Sequence, residues 1–374
     1  MLELLVSTDL GGGPAHVRDL IAGLAGPEFR FILGGPAGGA FLPALTAAGA
    51  DFEPIAADRL SLGALRDTIR LARARRIQVI HSHGKGAGLY GRIAARLTGA
   101  ASIHTFHGIH PAGYGGLYLR LEHALARWSF AVVHVSASQA AEARALGLAP
   151  AGRTRVIVNG IDAAFVRSAA ARAPMSRATL GLRPDALVLA TVARFDAVKR
   201  LEVLLRALPL LMARVPEAQL LIVGDGPERD ALHALARTLA LGDRVVFAGA
   251  IPDAARVLPL VDLYVTASRR EGLPTAVLEA MACGLPVLAT EAPGHVDAVE
   301  REVTGRLVPL DDAPGLAAAA ALLLRDPALR ARMGQAGRER VEQRFARSRV
   351  LAEIAALYRE AAGFPVGGTS TRSV

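Results

Sequence analysis

Cys283 is the only cysteine among 374 residues, so no intrachain disulfide can form, and a reducing, cytoplasmic setting is expected. No apolar run reaches the roughly 18 residues that cross a bilayer. The longest candidate, LAAAAALLLR from Leu316, is short and Ala-rich and reads as a helix packed on the protein. The first residues, MLELLVSTDL, carry acids where a secretion signal needs bases, so none is expected. Aromatic residues make up only 5%, and no basic run is interleaved with stacking side chains, which argues against a nucleic-acid partner.

What is present is an apolar, basic chain. Hydrophobic residues reach 52%, ample for packed cores, and the net charge is +9. That charge suits anionic partners such as nucleotides or phospholipids. A GC-rich genome would also supply the many Arg and Ala codons. The length predicts two domains at roughly 150 residues each.

Short apolar runs alternate with helical patterns. LELLVS, FRFILGG, IQVIHSH, ASIHTFH, FAVVHVS and TRVIVNG read as buried strands, and GPAHVRDLIAGLA and LGALRDTIRLARARR as helices between them. A stretch without clean periodicity follows, IDAAFVRSAAARAPMSRATLGLRPD. The pattern then restarts with ALVLATVAR, AQLLIVGDG, RVVFAGA, LYVTAS, PVLATE and GRLVPL. Such alternation predicts two doubly wound parallel-sheet α/β domains in tandem. The expected division is residues 1–166, residues 167–345, a helix over 346–362 returning to the first domain, and a Gly/Ser/Thr-rich disordered tail over 363–374. Ligands in such sheets bind beyond the carboxyl ends of the strands.

Three segments of the second half carry charge at those ends. Arg194 and Lys199 leave one strand in a short loop, where two cations suit a diphosphate or form a solvated basic loop. Gly224 and Gly226 follow another strand and permit either a close nucleotide contact or a plain βα turn. In REGLPTAVLEAMACGLPVLAT, Pro274 opens a helix that Gly284 stops, and the amides before it favour an anion. Glu271 precedes this helix and Glu279 lies within it, about 8 to 10 Å apart by helical rise. That span fits a nucleotide sugar, with each carboxylate holding one sugar ring. Glu279 sits in apolar surroundings and is expected to need a partner.

These segments, with ARFDAVKR, LIVGDGPERDAL, VVFAGAIPD, TGRLVP and VIVNGID, closely resemble the Glu-x7-Glu family 4 of retaining glycosyltransferases. In the first half, GGGPAHVRDL, VIHSHGKGAGLYGRIAARL and IHTFHGIH resemble that family's landmarks. The resemblance covers nearly the whole chain and implies the GT-B fold, two Rossmann-like domains facing across a cleft. It implies catalytic roles for His107, Glu271, Arg194 and Lys199. Donor contacts would come from Gly12, Gly13, Arg194, Lys199, Gly224, Gly226, Glu271, Gly272, Leu273, Pro274 and Glu279. Here Glu271 meets the transferred sugar and Glu279 the ribose. Lys85, His107 and His110 would meet the acceptor. No metal or other cofactor is expected, since no Asp-x-Asp motif is found and the histidine segments contain no acid of their own.

The donor expected is a nucleoside-diphosphate sugar, UDP foremost, carrying a hexose or N-acetylhexosamine. The acceptor expected is a glycan or a polyprenyl-linked intermediate of bacterial surface polysaccharide. Arg66, Arg70 and Arg73, spaced four and three apart, form a solvated face or a patch for anionic lipid at the inner face of the cytoplasmic membrane. Ala193 replaces a glycine usual before the Arg, and Asp297 stands where the family often has Glu. His295 is a further departure. A GT-B sugar-nucleotide epimerase or hydrolase is the alternative. A dinucleotide oxidoreductase is disfavoured, because His16 occupies the third glycine position of the fingerprint.

Overall fold

Strands buried on both faces leave no side for water, so helices must cover each face of the sheet. The computed structural model, which describes residues 1–9, 11–109, 116–172 and 175–363, has this arrangement twice. Met1–Asn159 and the chain from Ser348 onward form one unit, and Gly160–Arg347 forms the other.

The first unit holds a seven-stranded parallel sheet. Its strands are β1 (Leu2–Leu5), β2 (Ile32–Gly35), β3 (Asp51–Pro54), β4 (Val79–His83), β5 (Ala101–Phe106), β6 (Ala131–His134) and β7 (Thr154–Val156), in the order β3-β2-β1-β4-β5-β6-β7. The chain therefore leaves β1 in both directions, and the carboxyl ends of β1 and β4 flank the topological switch point. Six of these strands coincide with the apolar runs of the sequence. The seventh, β3, reads DFEP; it is a half-exposed edge strand with no apolar run to announce it. Helix α1 (Gly12–Leu24) follows β1, α3 (Leu62–Ala74) follows β3, and α4 (Lys85–Thr98) follows β4. The final helix, α14 (Arg347–Ala361), buries Val350, Ile354, Leu357 and Tyr358 against Val17, Leu20, Phe29 and Phe31 of this unit. Gly23 of α1 makes that approach possible, since a Cβ there would stand 2.3 Å from Leu351 Cδ1.

The second unit holds β8 (Leu187–Val192), β9 (Ala218–Val223), β10 (Val245–Gly249), β11 (Leu263–Thr266), β12 (Val287–Thr290) and β13 (Gly305–Val308), ordered β10-β9-β8-β11-β12-β13. All six coincide with the runs of the sequence. Leu189, Leu220, Ile222 and Val265 of the sheet pack on Leu204, Leu208, Leu316 and Leu323 of the covering helices. The switch point lies between β8 and β11.

The division differs from the sequence expectation by several residues. The segment from Gly160 to Val166 belongs to the second unit, and the cause is local pairing. Ile161 N–H donates to Phe345 O at 2.9 Å, Arg347 N–H donates to Ile161 O at 2.9 Å, and the Arg347 guanidinium holds Asp162 at 2.7 Å. Helix α7 (Ala163–Arg172) is thereby fixed to the second unit, with Arg167 bonded to Glu342 at 2.9 Å. The tail residues 364–374 lie outside the described residues.

Candidate functional site

The switch point of the second unit gathers the charged residues singled out from the sequence. After β8, Arg194 is exposed and forms no ion pair among the described residues. Lys199 ends a short 3-10 turn, and its Nζ donates to Glu271 Oε1 at 2.7 Å. The two side chains are 23% and 14% exposed, so the pair is partly shielded but open to a ligand. Sequence reasoning assigned the lysine to phosphate and the glutamate to sugar; the fold brings them into direct contact. Arg269 N–H donates to Val198 O at 2.9 Å, tying the loop after β8 to the loop after β11.

Helix α10 (Thr275–Ala282) begins next to this pair. Pro274 is its N-cap residue, one position ahead of the first turn in which the sequence reading put it, and Gly284, at φ 81°, follows its end as expected. Val277 N–H in its first turn donates to Pro274 O at 3.2 Å, while the amides of Thr275 and Ala276 precede any intrahelical acceptor, and the helix dipole favours an anion there. Gly272 and Leu273 are buried ahead of it. Glu279 lies in the second turn and is half-buried. Burial first, and then the Glu279 charge, push the thiol of Cys283 up to about 11, which leaves it protonated and poorly nucleophilic at neutral pH. Below the loop, His295 is fully buried, 3.0 Å from Thr290 O and 3.2 Å from Thr290 Oγ1. Burial lowers its pKa, so this departure from the family pattern is a neutral core imidazole. Asp297 accepts from the Gly294 amide at 3.3 Å, a capping role within the loop after β12.

Gly224 and Gly226 have a reason independent of any ligand. At φ 137° and 159°, their added Cβ atoms would stand 1.9 Å from Ala193 O and 2.5 Å from Phe195 O. The loop after β9 lies directly against the backbone carrying Arg194, and only glycine permits it. Helix α9 (Arg229–Thr238) follows this loop, with Glu228 as its N-cap residue.

The first unit builds a polar cluster at its own switch point. Register pairs Glu3 of β1 with His81 of β4, and the side chains of both are wholly buried. Glu3 Oε2 lies 2.9 Å from His83 Nε2, and Glu3 Oε1 accepts from Tyr358 Oη at 2.7 Å. His81 Nδ1 meets the same Tyr358 Oη at 2.6 Å, and its Nε2 meets Thr105 Oγ1 at 2.7 Å. His83 Nδ1 meets His107 Nε2 at 2.9 Å. Burial alone would raise the Glu3 carboxyl, but the charges and hydrogen bonds of His81 and His83 outweigh it and hold it below the usual carboxylate range. Burial pushes His83 down to about 4, His16 down to about 3, and His107 and His104 well below their ordinary value. His104 is structural, its Nδ1 3.0 Å from Ser82 Oγ.

The acid absent from the histidine segments themselves is thus supplied by β1. Glu3, His81 and His83 offer ligand atoms within 4.8 Å of one another. Yet every nitrogen of these two imidazoles already has a protein partner, and a cation would have to displace Tyr358, Thr105 or His107. The cluster closes by hydrogen bonding alone.

Lys85 occupies the first position of α4, with Nζ 5.2 Å from the centre of the Tyr118 ring. Burial is the main cause of its lowered pKa. Gly12 and Gly13 open α1, and a Cβ on Gly13 would touch His107 Cδ2 at 3.4 Å. His110 lies outside the described residues. Glu3 and Tyr358 were not singled out from the sequence. The signal for Glu3 was present: an acid in the middle of LELL, a strand too apolar to leave it solvated.

Two Rossmann-like parallel-sheet units in one chain, each with its polar groups at the switch point, define the GT-B class of protein. The chain belongs to the glycosyltransferase family whose models it matches: residues 174–340 match "Glycosyl transferases group 1", and residues 11–160 match "Glycosyl transferase 4-like domain". It is 31% identical to a D-inositol 3-phosphate glycosyltransferase of Saccharomonospora viridis, over 76% of this chain and 70% of that one. It is 35% identical to the lipopolysaccharide core biosynthesis glycosyltransferase LpsE of Rhizobium meliloti, over 47% of this chain and 51% of that one. The chain spans about half the length of several curated relatives it matches. Among solved structures, Anabaena Alr3699/HepE in complex with UDP superposes with a TM-score of 0.85 at 25% identity, covering 96% of this chain and 99% of that one.

Proposed function

We propose that this protein transfers a hexosyl or N-acetylhexosaminyl group from a nucleoside-diphosphate sugar, UDP foremost, to a glycan or lipid-linked acceptor, with retention at the anomeric carbon. The observation that carries this reading is the Lys199–Glu271 pair, 2.7 Å apart at the N-terminus of α10. A diphosphate at that helix end draws on the first-turn amides, Arg194 and Lys199. As Lys199 turns to phosphate, Glu271 is released to accept hydrogen bonds from sugar hydroxyls, and Glu279, a turn and more along the helix, takes the ribose. The bond between the anomeric carbon and the diphosphate oxygen breaks while the acceptor oxygen bonds to that carbon from the same face. The acceptor's proton passes to the leaving phosphate oxygen. Two cations and a helix dipole stabilise the leaving charge, so no metal is needed. The UDP held by Alr3699/HepE and the lipopolysaccharide role named for LpsE support UDP and a bacterial surface-polysaccharide acceptor.

A thermal-shift series with UDP-, GDP-, ADP- and dTDP-sugars, with and without EDTA, tests the donor. A UDP-sugar at a hundredfold excess over its dissociation constant should add about 2.7 kcal/mol of stability, EDTA making no difference. No shift with any of the four, or a shift abolished by EDTA, overturns this assignment.

Anionic lipid is the surface partner we propose for α3. Arg66 and Arg70, 78% and 76% exposed, line one groove with Arg73 and the exposed Leu62. Each arginine near an anionic surface contributes about 1 kcal/mol. No helix among the described residues is long and apolar enough to cross a membrane. The protein should therefore sediment with phosphatidylglycerol-containing vesicles and not with pure phosphatidylcholine, and Arg66→Glu with Arg70→Glu should release it. Equal sedimentation of wild type and double variant would exclude this face as the contact.

A further inference from the structure

We propose that Glu3 and His83 form a relay that fixes the tautomer of His107, so that His107 Nδ1 serves as an obligate hydrogen-bond acceptor for a substrate hydroxyl. Glu3 and His83 are positioning residues in this scheme, and it rests on the glycosyltransferase reading for the identity of the substrate.

The direction of each bond follows from the chemistry of the groups. A carboxylate only accepts. Glu3 Oε1 takes the Tyr358 hydroxyl proton, and Oε2 takes the proton on His83 Nε2. With Nε2 protonated, neutral His83 has a lone pair at Nδ1, so the 2.9 Å contact to His107 requires His107 to donate from Nε2. Neutral His107 then carries its remaining lone pair on Nδ1. That atom is buried and has no hydrogen-bond partner among the described residues. His16 Nε2, in a ring centred 5.1 Å from that of His107, is likewise buried and unpartnered.

A buried polar atom with no partner costs about 1 to 3 kcal/mol. Two of them in adjoining rings, at the end of an otherwise fully bonded chain, point to a polar group supplied by a ligand. The other end of the relay is anchored with care for the same proton positions. Because Tyr358 gives its hydroxyl proton to Glu3, its oxygen accepts from His81 Nδ1, and Thr105 Oγ1 meets the other nitrogen of His81 at 2.7 Å. Every bond in the cluster satisfies one assignment of protons. A neutral relay acts on tautomer and ring orientation; groups that orient a working histidine in this way commonly alter activity by about 10- to 100-fold when removed.

Histidine nitrogen NMR on the full chain, recorded without substrate, reads the tautomer directly. Wild type should show His107 protonated at Nε2 and bare at Nδ1. His83→Phe removes the acceptor and should give a mixture of the two tautomers, whereas His83→Gln offers its side-chain carbonyl in place of Nδ1 and should keep the Nε2–H form. Transfer assays should follow the same order. His83→Phe should lower kcat by about 10- to 100-fold with donor KM unchanged, and His83→Gln should recover most of it. Glu3→Gln should fall between them. A His107 found protonated at Nδ1 in wild type, or a tautomer unmoved in folded His83→Phe, overturns the relay. If no donor is turned over by wild type, the glycosyltransferase reading fails while the tautomer measurement still decides the relay.

Discussion

Glu271→Ala should lower transfer by at least about 1,000-fold while leaving the protein folded. The expected size follows from the bonds lost. A charged carboxylate hydrogen bond contributes about 1.5 to 3 kcal/mol. Glu271 would make two to a sugar that gains positive character in the transition state, and about 4 kcal/mol corresponds to roughly a thousandfold in rate. The fold should hardly respond. Lys199, its partner at 2.7 Å, is 23% exposed and can rehydrate when the carboxylate is gone, so the loss is of the order of 1 kcal/mol or less. Glu271→Gln keeps the shape and an acceptor for Lys199 but not the charge, and should lie between wild type and alanine. Initial rates with saturating donor, alongside a thermal melt, make the comparison. Near-normal turnover by a folded Glu271→Ala protein would remove the carboxylate from the reaction and the assignment with it.

Acid should destabilise the first unit steeply between about pH 6.5 and pH 4. His83 and His134 are pushed down to about 4 and His16 to about 3, in each case chiefly by burial. In the unfolded chain each returns to about 6.5. These depressed values mean that the unfolded state binds more protons, so stability is fully present above pH 6.5 and is lost as pH falls toward the folded values. Each imidazole contributes a slope of up to about 1.4 kcal/mol per pH unit, and three together give roughly 4. Against a domain stability of about 5 to 15 kcal/mol, that is enough to unfold the unit within a few pH units. Trp128, the only tryptophan, lies on a helix of this unit (Gly116–Trp128) and reports on it selectively. Its fluorescence-detected denaturant midpoint should be flat from pH 8.5 to 7 and fall sharply below 6.5. A midpoint unchanged down to pH 5 would show that these imidazoles titrate normally in the folded protein.

The two candidate sites, one in each unit, differed in how far the sequence revealed them. In the second unit the legible features were local ones. A proline and a glycine bracket α10, and cations follow an apolar strand within a few residues; spacing along the chain alone placed them at a strand end and a helix start. What spacing did not show was that Lys199 and Glu271, 72 residues apart, would pair. Nor did it separate the role of Gly224 and Gly226 in letting two loops touch from contact with a ligand. In the first unit, His107 stood out beside its strand, but its supports did not. Glu3 and Tyr358 are 355 residues apart. They meet only because β1 lies inside the sheet, beside its central strand β4, and α14 brings Tyr358 to Glu3.

The sequence by itself determined the alternation of strands and helices, the two α/β units, and the residue types at most strand ends. Periodicity and capping act over a few residues, so they are written where they operate. Tertiary structure decided the exact division near Asn159, the edge strand β3, the Lys199–Glu271 pair and the Glu3–His83–His107 relay. Each of these depends on which strands become neighbours and in what register. That choice is made by burial of the sheet as a whole, and no short stretch of chain contains it.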